Sequence, residues 1–340
     1  MKKKVKIILL ITGTLGALFL GISAGGAAVS PGDIALVMGN KLFAIPLPDG
    51  FDRIITGLIW NIRLPRVLLS FITGAALAVS GTVIQSVLKN PLASSYTIGV
   101  SSGAGLGAVI VIVSGISSGL LGMFLLPISA IVFGIATVFI AILFAARIER
   151  NLADNSIVLM GMILSLFTNA VMMTLASKYS RHAQQIMSWQ MGSFALKDWP
   201  ITGIVFVTAV TGIFLLARYA KEMDVLTFGD ENAGAVGIEV RKVKWILIML
   251  SAVLTGVSVA FVGVIGFIDL IAPHVIRRFF GSSHKYVVPL SGLFGGMFMI
   301  LADLIARTAV SPSEIHVGSV TALIGAPFFA YIFLKKPKIK

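Results

Sequence analysis

Long apolar runs separated by short charged segments dominate the hydrophobic pattern of this chain. A helix that crosses a bilayer needs about 20 apolar residues in succession, because the hydrocarbon layer is about 30 Å thick. Ten runs of roughly that length occur, at residues 7–29, 64–87, 96–116, 120–146, 157–176, 200–217, 243–262, 264–280, 286–305 and 317–334. The pattern therefore predicts an all-α, polytopic integral membrane protein with about ten transmembrane helices.

The seventh and eighth runs are almost continuous along the chain. Gly263, Gly266 and Pro273 interrupt this stretch. Irregular backbone at membrane depth is tolerated only where protein or a water-filled cavity covers it. We therefore expect one of the two helices to be short or broken, and we take the interruption as a sign of a transport path.

The overall composition agrees with a membrane protein and excludes several other classes. Of the 340 residues, 57% are hydrophobic and 12% are charged, whereas soluble domains average about 25% charged residues. The chain contains no cysteine, which excludes disulfide scaffolds, cysteine-ligated metals and thiol catalysis. The first run is longer than the apolar core of a signal peptide, which spans about 7–15 residues. We expect an uncleaved span there, with a cleaved signal peptide as the alternative.

The net charge of +13 is distributed between the apolar runs and does not form one stripe, so it does not indicate a nucleic-acid partner. When the N-terminus is placed in the cytoplasm and the ten runs alternate, 19 of the 27 Lys and Arg residues fall on the inner side and 8 on the outer side. Cytoplasmic loops of membrane proteins carry such an excess of positive charge. We therefore predict a multi-pass membrane protein with both termini in the cytoplasm.

A glycine-rich segment follows the second run, after a loop that begins with Asn90 and Pro91. Gly99, Gly103 and Gly107 recur every four residues and line one face of a helix, which lets a neighbouring helix approach closely. A dinucleotide-binding loop needs a different spacing and a preceding strand. The sequence also lacks the Gly-x-x-x-x-Gly-Lys-Ser/Thr motif that binds nucleotide phosphates. If ATP drives transport, another chain hydrolyses it, and we expect this chain to be no enzyme and to need no cofactor.

The segment 225–237 lies in the inner loop after the sixth run. It is acidic and rich in small residues, whereas helices that lie on a membrane surface favour Lys, Arg and bulky apolar residues. We predict that Leu226, Ala233 and Val236 share one face of a short helix. We therefore interpret the segment as a docking helix for a cytoplasmic protein. Its candidate contact residues are Leu226, Gly229, Asp230, Glu231, Ala233, Val236 and Gly237.

Two acidic residues fall within apolar runs, where a charged side chain is costly and indicates a functional site by default. Asp269 pairs with a neighbouring polar group, caps a broken helix, or takes part in transport. A proton relay through His274 is disfavoured, because a spacing of five residues puts the two side chains on different helix faces. Asp303 and Arg307 are four residues apart, so we expect them to pair near the outer end of the ninth run. The four histidines lack a metal-binding spacing, and no Ser/His/Asp arrangement is evident.

Several blocks of sequence occur together in one order along the chain. They are residues 90–93 (Asn-Pro-Leu-Ala), 98–104, 226–237, 272–278 (Ala-Pro-His-Val-Ile-Arg-Arg), 301–308 and 313–329. Together they resemble the iron-siderophore/vitamin B12 permease family of ABC importers, which belongs to the type II importers. The resemblance spans nearly the whole chain, and its several separate blocks make it specific.

The resemblance implies a single transmembrane permease domain over residues 1–340, with ten helices and with cytoplasmic coupling helices at about 221–241. It implies a complex in which this chain pairs with a second permease subunit, as a homodimer or a heterodimer. Two cytoplasmic ATP-binding subunits and an extracytoplasmic substrate-binding protein complete that complex. The implied cargo is an iron chelate, either a ferric siderophore or related haem or cobalamin. The implied location is a bacterial or archaeal cell membrane.

The resemblance also implies roles for individual residues. The family's outer arginines, which meet glutamates on the binding protein, are matched here by Arg63, Arg66 and Arg307. Each of these could instead be an anchor at the membrane interface. The family's cytoplasmic gate maps to Asp154, Asn155 and Ser156.

Two positions depart from the family pattern and leave a rival interpretation open. Asp269 stands where glycine is usual, and Val264 stands where proline is frequent. The rival interpretation is an ion- or proton-coupled secondary transporter, which would use intramembrane acids such as Asp269 and Asp303.

Overall fold

The computed structural model describes residues 3–25, 29–116, 119–148 and 154–334, and this part of the chain is helical without any strand. Its fifteen α-helices are α1 (Lys3–Ser23), α2 (Pro31–Phe43), α3 (Arg53–Gly57), α4 (Leu64–Val87), α5 (Val100–Ser114), α6 (Gly119–Ile148), α7 (Asp154–Lys178), α8 (Ala183–Gln190), α9 (Trp199–Arg218), α10 (Ala220–Leu226), α11 (Asp230–Ala235), α12 (Val240–Val262), α13 (Ile268–Phe280), α14 (His284–Thr308) and α15 (Val317–Leu334). A π-helical segment, Leu58–Arg63, joins α3 to α4. The predicted all-α class is confirmed for these residues.

Seven helical segments are long and apolar enough to cross a membrane: Lys3–Ser23, Arg53–Val87, Phe124–Ile148, Asp154–Lys178, Trp199–Arg218, Val240–Val262 and His284–Thr308. Each of them overlaps one of the ten predicted runs. The other three runs form shorter helices, α5, α13 and α15, of 15, 13 and 18 residues. The count of ten crossings and the cytoplasmic position of both termini stay predictions.

The predicted interruption between the seventh and eighth runs is confirmed. Residues 263–267 separate α12 from α13, and Gly263 has a positive φ of 79°. A Cβ atom on Gly263 would lie 2.2 Å from the carbonyl oxygen of Trp189, so this position requires glycine. The hydroxyl of Tyr96 donates to the carbonyl oxygen of Ile265 at 2.7 Å. A backbone group released by the break thus finds a partner inside the protein.

Helix α4 lies at the centre of the bundle, since nearly all of its residues are buried and α9, α12, α13 and α14 pack around it. A Cβ atom on Gly74 would lie 2.3 Å from the carbonyl oxygen of Gly295 in α14, and one on Gly295 would lie 2.5 Å from that of Gly74. The two helix backbones therefore touch. With 24 residues, α4 is about 35 Å long, and polar side chains gather at both of its ends.

The predicted glycine face of α5 packs against α6. A Cβ atom on Gly103 would lie 2.6 Å from the carbonyl oxygen of Phe133, and one on Gly107 would lie 2.5 Å from that of Ser129. Any larger residue at these positions would push the two helices apart. The interpretation of this face as a packing surface is confirmed.

Candidate functional site

A cluster of two lysines and two aspartates lies just beyond the C-terminal end of α4. Lys244 Nζ lies 2.6 Å from Asp154 Oδ1 and 2.6 Å from Asp230 Oδ2. Lys89 Nζ lies 3.0 Å from Asp154 Oδ2 and 2.8 Å from Asp230 Oδ1. We call these four side chains the Lys244 cluster. Each aspartate bridges both lysines, so the four charges form a closed and balanced ring.

The members of the Lys244 cluster come from four parts of the chain. Lys89 follows α4 and Asp154 begins α7, whereas Asp230 begins α11. Lys244 lies in the second turn of α12, and its side chain is fully buried. A buried ammonium group needs paired charge, which the two carboxylates supply. The contact of Lys89 with Asp230 is short but poorly angled for a hydrogen bond, so it acts as an ion pair.

The ring shifts the pKa values of two of its members. Burial alone would raise the pKa of Asp230, but its contacts with Lys244 and Lys89 hold the pKa below its ordinary value. Burial alone would lower the pKa of Lys89, but its contacts with Asp230 and Asp154 raise it above its ordinary value. Asp230 and Lys89 therefore both stay charged around neutral pH.

The predicted docking segment forms two short helices, α10 and α11. Gly229 between them has a φ of 112°, a conformation that helix interiors do not adopt, so the expectation of a single short helix is wrong. Leu226 and Ala233 are fully buried and fix the segment to the bundle. Val236 follows α11 and is 68% exposed, and Phe228 is 75% exposed. The predicted shared face is therefore divided, with Val236 pointing away from the other two residues.

The remaining residues of the docking segment divide in the same way. Asp230 points into the Lys244 cluster, whereas its neighbour Glu231 is exposed. Gly237 is exposed and ends the segment with a φ of 89°. Sequence reasoning missed Phe228 as a contact residue, although a large apolar side chain in a polar loop is itself a signal of a binding surface.

A second polar network, also missed in the sequence, lies beside the Lys244 cluster. Asp224 on α10 contacts both the backbone N–H and ring Nδ1 of His284, at the start of α14. Ring Nε2 of His284 contacts Ser86 near the end of α4, and Arg277 on α13 donates to Ser86 and Gln85. Ser86 is only 3% exposed, and this Ser–His–Asp line fixes α10 to the bundle. Its contacts join residues that are 60 and 198 positions apart in the sequence. The spacing of these residues along the chain therefore did not predict the network.

Asp269, the intramembrane acid of the eighth run, is 1% exposed at the start of α13. Its carboxylate faces the backbone amides of Asp269 and Leu270 in the first turn of α13, and then the hydroxyl of Ser94 and the backbone amide of Ser95. Neither oxygen meets strict hydrogen-bond geometry within the described residues. His274 lines a separate cavity of about 340 Å³, beside Arg278. These surroundings favour the interpretation of Asp269 as a group that holds the start of a broken helix.

Asn90, Pro91 and Pro273 shape the backbone near these networks. Lys89 has a positive φ of 46°, and Oδ1 of Asn90 accepts a hydrogen bond from the N–H of Leu92 at 2.9 Å. This turn directs the chain away from α4 and sets the position of Lys89. Pro273 is buried inside α13 and does not interrupt it, so its predicted part in the break is wrong.

The opposite end of α4 carries the Arg66 cluster, which consists of Arg66, Asp303, Arg307 and Glu314. Arg66 Nη2 lies 2.9 Å from Asp303 Oδ1 and 2.9 Å from Glu314 Oε2. Arg307 Nε lies 3.7 Å from Asp303 Oδ2, so the predicted pair is confirmed, with Arg66 as the nearer partner of Asp303. Arg307 also donates to the carbonyl oxygen of Gly21 in α1. The hydrogen bond from Arg66 holds the pKa of Glu314 below its ordinary value despite partial burial.

The three predicted docking arginines are largely buried, with exposed fractions of 3%, 8% and 8% for Arg63, Arg66 and Arg307. Arg63 donates to the carbonyl oxygens of Ile22 and Ser23 at 2.9 and 2.7 Å. All three guanidinium groups thus have partners within the chain. Their contact with a binding protein stays a prediction, and the side chain of Glu314, 41% exposed, is the most accessible member of the Arg66 cluster.

Comparison with known proteins identifies the family. Residues 9–335 match the sequence profile of the FecCD transport family. The chain belongs to this family. The ABC transporter permease protein YvrB of Bacillus subtilis is 33% identical over 94% of this chain and 90% of its own length. The hemin transport system permease protein HmuU of Yersinia pestis is 36% identical over 82% of this chain and 84% of its own length.

A solved structure places the FecCD chain in the same fold. It is described as an inward-facing conformation of a metal-chelate type ABC transporter, and it superposes with a TM-score of 0.84 at 31% identity, over 97% of this chain and 99% of that chain. The resemblance inferred from the sequence blocks is confirmed. The FecCD match and the apolar helices together make the chain a multi-pass protein of the cell membrane.

The predicted gate of this FecCD protein lies at the start of α7. Asp154 belongs to the Lys244 cluster, Asn155 is exposed, and Ser156 is partly buried. The gating role stays a prediction. Asp154, one of the gate candidates, is ion-paired to the same two lysines as Asp230 of the docking segment.

Proposed function

We propose that this FecCD protein is the transmembrane permease subunit of an ABC importer, and that it forms the translocation pathway for an iron chelate delivered by an extracytoplasmic binding protein. YvrB and HmuU support the permease role, because both are named as permeases. HmuU is named for hemin, and the superposed structure is of the metal-chelate type. Ferric siderophores, haem and cobalamin are therefore the candidate cargoes. ATP is hydrolysed on separate ATP-binding subunits, and a second permease subunit completes the pathway.

The observation that carries the proposal is the structure of the docking segment together with the rest of α10, that is, residues 220–237. Its short helices lie outside the segments long enough to span a membrane. Phe228 and Val236 project from it, while Leu226 and Ala233 are buried beneath. Large apolar side chains exposed together at a loop are typical of a protein-binding surface. A groove on an ATP-binding subunit would cover both.

A cavity of about 710 Å³ along α7 and α8 supports a bulky cargo. Its lining includes Asn169, Met172, Met187 and Gln190, and none of its described lining residues is charged. A smaller cavity of about 220 Å³ shares Asn169, Met172 and Gln190. Pores for bare ions use charged side chains or rings of carbonyl groups, whereas methionine adapts to apolar surfaces of varied shape. The lining therefore fits a large chelate better than a bare ion.

Reconstituted uptake tests the proposal directly. The chain is purified with its cognate ATP-binding and permease partners, placed in liposomes, and supplied with binding protein loaded with haemin, cyanocobalamin or a ferric trihydroxamate. We expect uptake of one of these chelates only when ATP and the ATP-binding subunit are both present. Uptake that continues without that subunit would favour the secondary transporter, with Asp269 as its candidate intramembrane acid.

Docking of the ATP-binding subunit is tested by charge substitution. Phe228→Asp and Val236→Asp place a carboxylate on the proposed contact surface, so we expect each to weaken retention of the subunit about tenfold or more. Lys242→Glu is the matched control, because Lys242 is also exposed on the same side of the bundle but lies outside the segment. Retention equal to that of the control would contradict the proposed docking surface.

A further inference from the structure

The Lys244 cluster joins two helices, α7 and α11, that do not pack extensively on each other in the described part of the chain. Helix α7, which begins with Asp154, packs on α5 and α6, whereas α11, which begins with Asp230, packs on α10 and α12. Both carboxylates are nevertheless held by the same two ammonium groups. The ring thus bridges the docking segment and the gate candidate.

We propose that Lys244 is a positioning residue that couples the docking segment to the start of α7, so that a shift of one is passed to the other. The inference rests on the proposed function, because only a partner that moves the docking segment would use such a coupling. Lys244 contacts neither cargo nor nucleotide in this role. It acts through Asp154 and Asp230, which share its ammonium group.

The geometry makes this link stiff over small displacements. Both contacts of Lys244 are 2.6 Å long, and its side chain is fully buried. Moving one carboxylate away would leave buried charge without its partner, which is strongly unfavourable. The two carboxylates also repel each other unless a cation lies between them. A displacement of Asp230 therefore draws Lys244 along, and Asp154 with it.

The two lysines contribute unequally to this link. The side chain of Lys89 is 28% exposed, whereas that of Lys244 is 0% exposed. Water can partly replace the charge of an exposed lysine, but water has no access to Lys244. Loss of Lys89 should therefore damage the coupling less than loss of Lys244.

The test measures how many ATP molecules the complete reconstituted complex hydrolyses for each chelate taken up. The cargo is the one that the wild type transports among haemin, cyanocobalamin and a ferric trihydroxamate. Lys244→Met removes the charge and keeps most of the length of the unbranched side chain. We expect the ratio of ATP to chelate to rise about fivefold or more, within the usual range of coupling free energies, while the ATP-binding subunit co-purifies as with the wild type.

Lys242→Met is the matched control on the same helix. Lys242 is 67% exposed and lies 3.7 Å from Glu239, and pairs of this kind contribute little. Its ratio of ATP to chelate should stay at the wild-type value. A wild-type ratio in Lys244→Met overturns the proposal. Equal losses of hydrolysis and uptake overturn it too, because they would make Lys244 a purely structural residue.

A second variant keeps the proposal open to refutation if Lys244→Met does not fold. Lys89→Met should raise the ratio about twofold, because this lysine is partly exposed, and an unchanged ratio there counts against the ring. Failure of the wild type to show ATP-dependent uptake would refute the proposed function itself, and the coupling with it. A failure of the coupling proposal would appear only in the variants, whereas a failure of the proposed function would appear in the wild type, so the two are distinguishable.

A double-mutant cycle separates one ring from independent contacts. If Lys244 and Asp230 act as a unit, adding Asp230→Asn to Lys244→Met should change the ratio much less than Asp230→Asn does alone. Multiplicative effects of the two substitutions would contradict a shared link.

Discussion

Two buried charge networks, the Lys244 cluster and the Arg66 cluster, lie at opposite ends of α4 and differ in what they connect. The Arg66 cluster joins α4 to α14, whose backbones already touch at Gly74 and Gly295. The Lys244 cluster joins α7 and α11, which have no extensive contact of their own in the described part of the chain. Similar chemistry thus reinforces a close helix contact at one end of α4, and at the other end it links two helices that do not pack extensively on each other in the described part of the chain.

The two central cations suit these positions. The planar guanidinium of Arg66 donates in fixed directions and binds Asp303 and Glu314 together. Lys244 offers a compact ammonium group with rotatable donors, so its contacts with two aspartates can survive a change of angle. We therefore expect damage at the Arg66 cluster to lower stability first, and damage at the Lys244 cluster to lower coupling first.

The largest expected effect on stability comes from Asp303→Ala. This substitution leaves the buried Arg66 and Arg307 without their shared carboxylate. Removal of one partner from a buried ion pair costs about 3–5 kcal/mol. Denaturant titration of the purified protein in micelles measures the free energy of unfolding. A loss below about 1 kcal/mol, the range of exposed ion pairs, would contradict the view that this cluster stabilises the packing of α4 on α14.

A smaller loss of stability is expected from Gly295→Ala, which tests the contact between α4 and α14 without changing any charge. The added Cβ would lie 2.4 Å from Cβ of Ala78 and 2.5 Å from the carbonyl oxygen of Gly74. Overpacking of this kind costs about 1–3 kcal/mol. Gly203→Ala in α9 is the control, because its Cβ would meet no atom within 4 Å. The same titration should show Gly203→Ala to be neutral or stabilising, and equal losses in the two variants would argue against the close contact.

Acidification should weaken both clusters, by less than the glycine substitution. Asp230, facing Lys244 and Lys89, and Glu314, facing Arg66, have lowered pKa values in the folded chain. Such carboxyl groups contribute stability above their unfolded pKa and lose it as the pH falls through the folded value. Lys89 has a raised pKa, so its contribution is present below its unfolded pKa and is lost as the pH rises through the folded value.

A pH series of thermal unfolding midpoints in micelles checks this expectation. The midpoint should be flat around neutral pH, fall below about pH 4, and fall again above about pH 10.4, the ordinary values for these groups. Asp230→Asn should reduce the fall of the unfolding midpoint at acidic pH. A midpoint that rises on acidification would contradict the assigned charges.

The smallest expected effect is that of Glu314→Gln. The side chain of Glu314 is 41% exposed, and Arg66 keeps Asp303 as a buried partner. We therefore expect a loss of at most about 1 kcal/mol, as for other exposed ion pairs. Comparison with Asp303→Ala by the same denaturant titration sharpens the contrast, since the two acids share one arginine. Equal losses would mean that exposure does not set the strength of these pairs.

Much of the fold could be predicted from local sequence. The apolar runs indicated the span-length helices, and Gly103 and Gly107 indicated the packing face of α5. The break before α13 followed from Gly263, whose neighbours leave no space for a side chain. The exact helix starts could not be predicted in the same way. Helix α5 begins four residues after the start of the predicted run, because residues 96–99 form a turn.

The candidate site was predicted only in part. Asp154 and Asp230 were singled out separately, as a gate residue and a docking residue. Nothing in the sequence joined them, since Lys244 lies 90 positions from Asp154. Lys244 and Lys89 were counted only as positive charges of inner loops. Phe228 was not predicted as a contact residue, since the prediction rested on the small and acidic residues around it.

The sequence alone determined which segments are apolar enough for a bilayer and which loops carry charge, because both properties depend on composition within a few turns of chain. The tertiary structure alone decided which charges meet. Asp303 pairs with Arg66, 237 positions away, at 2.9 Å, whereas its sequence neighbour Arg307 lies 3.7 Å away. Electrostatic attraction depends on distance in space and on burial, and the packing of α4 among its neighbours sets both.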